Sequence, residues 1–162
     1  MKYLVLGLLG FFSLLLESTL FNELMIAGVK PDLVLIIVIL YAIFSGPREG
    51  AIVGLFLGFI EDLFMAKYLG INALSKFFVG LIIGSLEKRI YKENFIVPTI
   101  ALLVGSLIHG LLFIFISNIV GYPLGIKNGF NVVIPVAIYN TCFAPFVYGS
   151  FYKATTKREL DL

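Results

Sequence analysis

Val29-Lys30-Pro31-Asp32-Leu33-Val34-Leu35-Ile36-Ile37-Val38-Ile39-Leu40 places a proline and an acid at the mouth of an unbroken apolar run. Proline is tolerated in the first turn of a helix, where its missing N–H would have no partner anyway. An acid there suits the positive helix N-terminus. The stretch predicts a helix that starts at a membrane surface and runs inward. Nearly all the rest of the chain is equally apolar, so the few polar residues must hold the function.

Composition agrees. Of 162 residues, 60% are hydrophobic and 14% charged, and the mean hydropathy is +1.04. A soluble domain carries about 25% charged residues. The length suits one compact bundle, a single membrane domain over residues 1–162. A net charge of +2 is too small to point to nucleic acid. Cys142 is the single cysteine, which excludes an internal disulfide and a thiolate metal cluster. In its apolar run it reads as an inert, packed thiol.

A span needs about 20 residues. The apolar runs are 3–22, 31–45, 50–66, 69–86, 95–118 and 130–152, which predicts an all-α, polytopic bundle of six transmembrane helices. The second and third runs are joined by Gly46-Pro47-Arg48-Glu49 and form a helical hairpin; Lys67-Tyr68 joins the third to the fourth. The joint from Ile119 to Gly129 contains Gly121, Pro123 and Gly125 and reads as an irregular loop. The first run has Lys2 ahead of it like a signal peptide, yet it lacks a small-x-small cleavage site and carries Glu17 inside. It is read as a retained span.

Six spans put both termini on one side. That side would hold Lys2, Arg48, Lys88, Arg89, Lys92, Lys153, Lys157 and Arg158, against Lys30, Lys67 and Lys127 opposite. The bias predicts cytoplasmic termini. The basic stretches 87–93 and 153–162 then serve as topological anchors or dock a partner.

Glu17, Asp32, Glu61, Asp62 and Lys76 all fall in the outer half of the bilayer on this topology. A charge at the membrane centre costs about 2.5–3.5 kcal/mol on insertion scales, so such groups face the bundle and pair. Asp62 and Lys76 flank the tight third–fourth turn at similar depth and are expected to be partners. The five residues read either as a polar clasp that fixes helix packing or as a partner- or ligand-binding site. His109, Asn140 and Thr141 lie deeper, but no polar series continues along one face, and the lone histidine reads as a satisfied packing residue. Ser13, Ser106 and Ser117 lack a nucleophile setting, and one histidine argues against a multi-histidine metal site. No cofactor is expected.

Gly46, Gly50, Gly54 and Gly58 recur every four residues, and Gly80 and Gly84 repeat the pattern in the fourth run. Small residues at this spacing let helices approach closely in lipid. The face either packs inside the bundle or forms a groove for a partner's helix.

The ordered series Lys30-Pro31-Asp32-Leu33, Gly46-Pro47-Arg48-Glu49-Gly50-Ala51, Gly54, Gly58, Glu61-Asp62-Leu63 and Leu69-Gly70-Ile71-Asn72-Ala73-Leu74 resembles the bacterial rod shape-determining protein MreD family. Family members carry Gly or Leu before that Asp; Glu61 departs from the pattern. The specific matches cover about residues 30–89, and the last two runs match in hydropathy alone.

The resemblance implies a non-enzymatic scaffold of the cell-elongation machinery in the bacterial inner membrane. It implies association with MreC, and through the complex with MreB, RodA and a class B penicillin-binding transpeptidase, positioning peptidoglycan synthesis in rod-shaped cells. It also implies a fold like the substrate-binding component of energy-coupling vitamin transporters. The competing function is a substrate-binding subunit of a small-solute transporter. Such subunits dock their energising partner through alanines four apart on the first helix, and Leu4-Val5-Leu6-Gly7-Leu8-Leu9-Gly10-Phe11 has none.

Overall fold

The computed structural model describes residues 2–23, 28–66, 69–89, 96–122 and 126–160. The described residues form six α-helices: α1 Lys2–Glu23, α2 Leu33–Ser45, α3 Pro47–Met65, α4 Ile71–Ser85, α5 Ile96–Ile119 and α6 Ile126–Leu160, with a short 3-10 turn at Glu87–Arg89 after α4. The 67–68 joint and residues 90–95 lie outside the described residues.

The helix α2 is the central post. All its residues from Val34 to Ile43 are buried, and it touches each of the other five helices. An apolar surface all the way round is what a fully enclosed helix requires. One side, with Leu35, Ile36, Ile39, Leu40 and Ile43, packs on Val79 and Ile83 of α4, Leu102 of α5 and Tyr148 of α6. Another, with Val34, Ile37, Val38 and Tyr41, packs on Leu6 and Leu14 of α1 and on Val53 and Leu57 of α3.

The joints differ from the sequence expectation in small, explicable ways. Helix α2 starts at Leu33 with Asp32 as its N-cap, so Pro31 precedes the helix rather than opening it. Gly46 alone separates α2 from α3, since Pro47-Arg48-Glu49 already form the first turn of α3. Gly46 ends one helix and begins the next at φ +86°, a left-handed region that glycine enters without steric cost. After α5 the chain turns at Gly121, φ +90°, with Tyr122 N–H donating to the Ser117 carbonyl at 2.9 Å. The expected loop over 119–129 is shorter than read: α6 begins at Ile126 and takes in Gly129, while 123–125 lie outside the described residues.

The four-residue glycine ladder belongs to the α3–α4 contact. A Cβ added at Gly58 would lie 2.7 Å from Ala73 Cα, and one at Gly84 would lie 2.6 Å from Pro47 Cα. At Gly54 it would meet the Lys76 carbonyl, and Gly50 and Gly80 face each other. The two backbones therefore touch, and α4 fills the groove considered for a partner's helix. Gly46 serves the turn instead. Close approach without side chains maximises dispersion contact where lipid supplies no hydrophobic drive.

Candidate functional site

Polarity in this protein is turned inward. Glu17, Glu61, Asp62, Asn72, Ser75, Lys76, Ser106, His109 and Asn140 are buried, whereas large apolar side chains such as Leu4, Phe12, Phe115 and Phe146 are exposed. At 1.5 Å per residue α2 is about 20 Å long and α4 about 22 Å, both short of a hydrocarbon core of about 30 Å. Their N-termini open inside the protein, where unmet N–H groups are costly. The buried carboxylates meet them.

At α2, Asp32 Oδ1 accepts from Leu35 N–H at 2.7 Å. Glu17, brought over from α1, accepts from Leu33 N–H and, at 3.3 Å, Val34 N–H. The Asp32 N–H donates to Asn140 Oδ1 of α6 at 2.8 Å, and Asn140 Nδ2 donates to Ser106 Oγ of α5 at 3.0 Å. Three helices, α1, α5 and α6, thus converge on the start of α2. At α4, Asp62 from α3 accepts from Gly70 N–H at 2.9 Å, Ala73 N–H at 3.0 Å and Asn72 N–H at 3.2 Å. The N-cap residue of α4, Gly70, has no side chain for this task.

Lys76 of α4 is fully buried and ties its helix to the α2 cap. Its ammonium donates to Asp32 Oδ2 at 2.8 Å and also to Glu61 Oε2. The expected Asp62–Lys76 pair is therefore corrected. Glu61 and Asp62 are adjacent on α3 and point about 100° apart. Asp62 points at the first turn of α4 and is consumed as its cap, while Glu61 faces α2 and meets the lysine. Of the expected clasp, Glu17, Asp32, Glu61 and Lys76 gather in one cluster and Asp62 stands beside it.

A cavity of about 350 Å³ opens beside the cluster. Glu17, Lys30, Asp32 and Glu61 line one side, with His109, Phe113 and Ile114 of α5 and Val132, Val133 and Val136 of α6 on the other. Lys30 Nζ donates to the Glu17 main-chain carbonyl at 3.3 Å. His109 is not the satisfied packing residue expected: its Nε2 is buried without a hydrogen-bond partner. Asn140 and Ser106 lie 34 residues apart with no local signal that they meet; the convergence of α5 and α6 on Asp32 joins them. Thr141 donates to the Ala137 carbonyl of its own helix at 2.7 Å. Cys142, expected to be packed, is exposed on α6. The hydroxyls of Ser13, Ser75 and Ser117 donate to carbonyls of their own helices. Among the described residues, no group of three His, Cys, Asp or Glu side chains is arranged to hold a metal ion.

An apolar exterior around a buried ion cluster defines a helical integral membrane protein. By length and composition α5, over Ile96–Ile119, and α6, over Gly129–Gly149, suffice to cross a membrane; Leu4–Thr19, Leu33–Ser45 and Ile71–Ser85 are shorter apolar helices. The chain matches the family of rod shape-determining protein MreD over residues 1–155, and it belongs to that family. Its role therefore lies in determining rod shape. Neither the curated proteins nor the solved structures provide a match.

Proposed function

We propose that the protein is a non-enzymatic scaffold of the cell-elongation machinery. It spans the membrane six times with both termini in the cytoplasm, binds MreC, and through the complex with MreB, RodA and a class B transpeptidase helps to position peptidoglycan synthesis. The observation that carries this reading is the commitment of the buried charges. Lys76, Asp32, Glu61 and Asp62 are tied to one another or to helix ends. Groups so committed build a rigid body and are poorly placed to turn over a substrate.

The glycine face is closed by α4, so it supplies no dock. The cavity beside the cluster is a concave feature that could take part of MreC. The transporter reading draws on the same cavity. Against it stands α1, whose small residues Gly7 and Gly10 face Phe56 and Leu57 of α3 rather than the outside. They offer no small-residue strip to an energising subunit.

The reading is tested by affinity capture from native membranes. MreC should co-purify with the tagged protein in mild detergent. Absence of MreC, or recovery of a nucleotide-hydrolysing transport subunit in its place, would contradict the scaffold.

A further inference from the structure

Gly129, Val132, Val133 and Val136 stand three and four residues apart on one face of α6 and give the cavity a wall about 10 Å long. Phe113 and Ile114 of α5 line it as well, and Met65 closes α3 beside it. The open surface of the cavity is almost wholly apolar. The polar residues at its wall are engaged elsewhere. Glu17 accepts from the α2 amides, Asp32 and Glu61 hold Lys76, and His109 Nε2 is occluded. Buried water needs about two to four polar partners, which this wall does not offer. An empty void is no better, because its lining forfeits dispersion contacts. Met65 and Val132 line the cavity and are also exposed, next in sequence to or two residues from exposed Phe64 and Phe130. The apolar wall is therefore continuous with the lipid-facing exterior.

We propose that the cavity is a lipid site, which takes one acyl chain of an anionic phospholipid with the phosphate at Lys30. The proposal goes beyond the scaffold reading and does not rest on it. Lys30 lines the cavity and is partly exposed. Its ammonium bonds the Glu17 main-chain carbonyl at 3.3 Å and pairs with no carboxylate among the described residues. A lysine stem lies along apolar surface while its head reaches polar ground, and basic pockets between membrane helices recognise anionic headgroups. The volume of about 350 Å³ falls at the low end of small-molecule sites, about 300–1,000 Å³. A hydrocarbon chain restores the dispersion contacts of the wall, and the surrounding bilayer supplies it without a carrier. An apolar side chain of a partner protein would suit the same wall but would leave the Lys30 ammonium unmet.

The test places the full chain in phosphatidylcholine vesicles that carry a little phosphatidylglycerol with a photoreactive group at the end of one acyl chain. Labelled residues are mapped by mass spectrometry. Label should reach Val133, which is buried and lines the cavity, as well as Phe115, which is exposed. Val136→Trp fills the cavity and should clear the label from Val133 while Phe115 keeps it. Lys30→Gln should lower the preference of Val133 for labelled phosphatidylglycerol over equally labelled phosphatidylcholine by about fivefold, the scale of one basic residue beside anionic lipid. Label at Phe115 with none at Val133 would overturn the proposal, and so would an unchanged preference in Lys30→Gln. The wild-type map and Lys30→Gln decide the matter even where Val136→Trp fails to accumulate. Added MreC that clears the label from Val133 would make the cavity its own and overturn the lipid occupant. Protein taken from native membranes should retain phospholipid in native mass spectrometry; an isoprenoid phosphate retained in its place would overturn the acyl chain.

Discussion

Lys76 Nζ lies 2.8 Å from Asp32 Oδ2, a contact between residues 44 apart in the chain. It ties the second turn of α4 to the capped start of α2, and Glu61 holds the same ammonium from α3. Three helices are fixed by one cation.

Removing that cation should be severe. Lys76→Met leaves Asp32 and Glu61 buried without their counter-charge, and breaking one side of a buried pair costs about 3–5 kcal/mol. The variant should accumulate poorly and lose thermal stability in detergent. Adding Glu61→Gln should recover part of the loss, because residues in contact are non-additive. Strict additivity of the two changes in a melting experiment would contradict the contact. Asp62→Asn combined with Lys76→Met should come closer to additive, since Asp62 serves the α4 amides.

The Asp62 cap gives a graded expectation. Asp62→Ala strips the acceptor from three N–H groups at a buried helix start, and loss of a cap alone costs about 0.5–2 kcal/mol. Asp62→Asn keeps one acceptor oxygen and should lie between Ala and wild type in melting temperature. Equal stability of all three proteins would show that the cap does not matter.

The glycine ladder should fail for reasons unrelated to any partner. Gly54→Leu and Gly58→Leu push a side chain into α4 backbone and should lower membrane level even where MreC is absent. Gly149→Ala is the control, because a Cβ there meets nothing within 4 Å. Normal accumulation of Gly54→Leu would move the ladder to an outer face.

The two ends of α5 report the proposed topology. In a Cys142→Ser background, single cysteines at Lys88, beyond α4, and at Tyr122, beyond α5, should label from opposite sides, with Lys88 cytoplasmic. Labelling of both from one side would contradict the proposed arrangement of spans.

How much of this was legible in the sequence follows the range of the forces involved. Pro31-Asp32 before an apolar run marked the start of α2 through local signals. The glycines of α3 and α4 marked a close helix contact by their spacing, though not which helix would occupy it. Glu61 and Asp62 were legible as buried charges, but their roles depend on a rotation of about 100° between neighbours and on where α2 stands. The Glu17 target, Leu33 N–H, lies 16 residues away and leaves no trace in either segment. The unpartnered Nε2 of His109 is a property of the assembled cavity and has no sequence signature.

Depleting the protein in growing rods is the most direct measurement of the central claim. Cells should widen and round as the protein falls below its working level, while bulk incorporation of wall precursors continues, because a scaffold directs synthesis without performing it. Rods that keep their width after full depletion, with no second copy of the gene, would contradict the account.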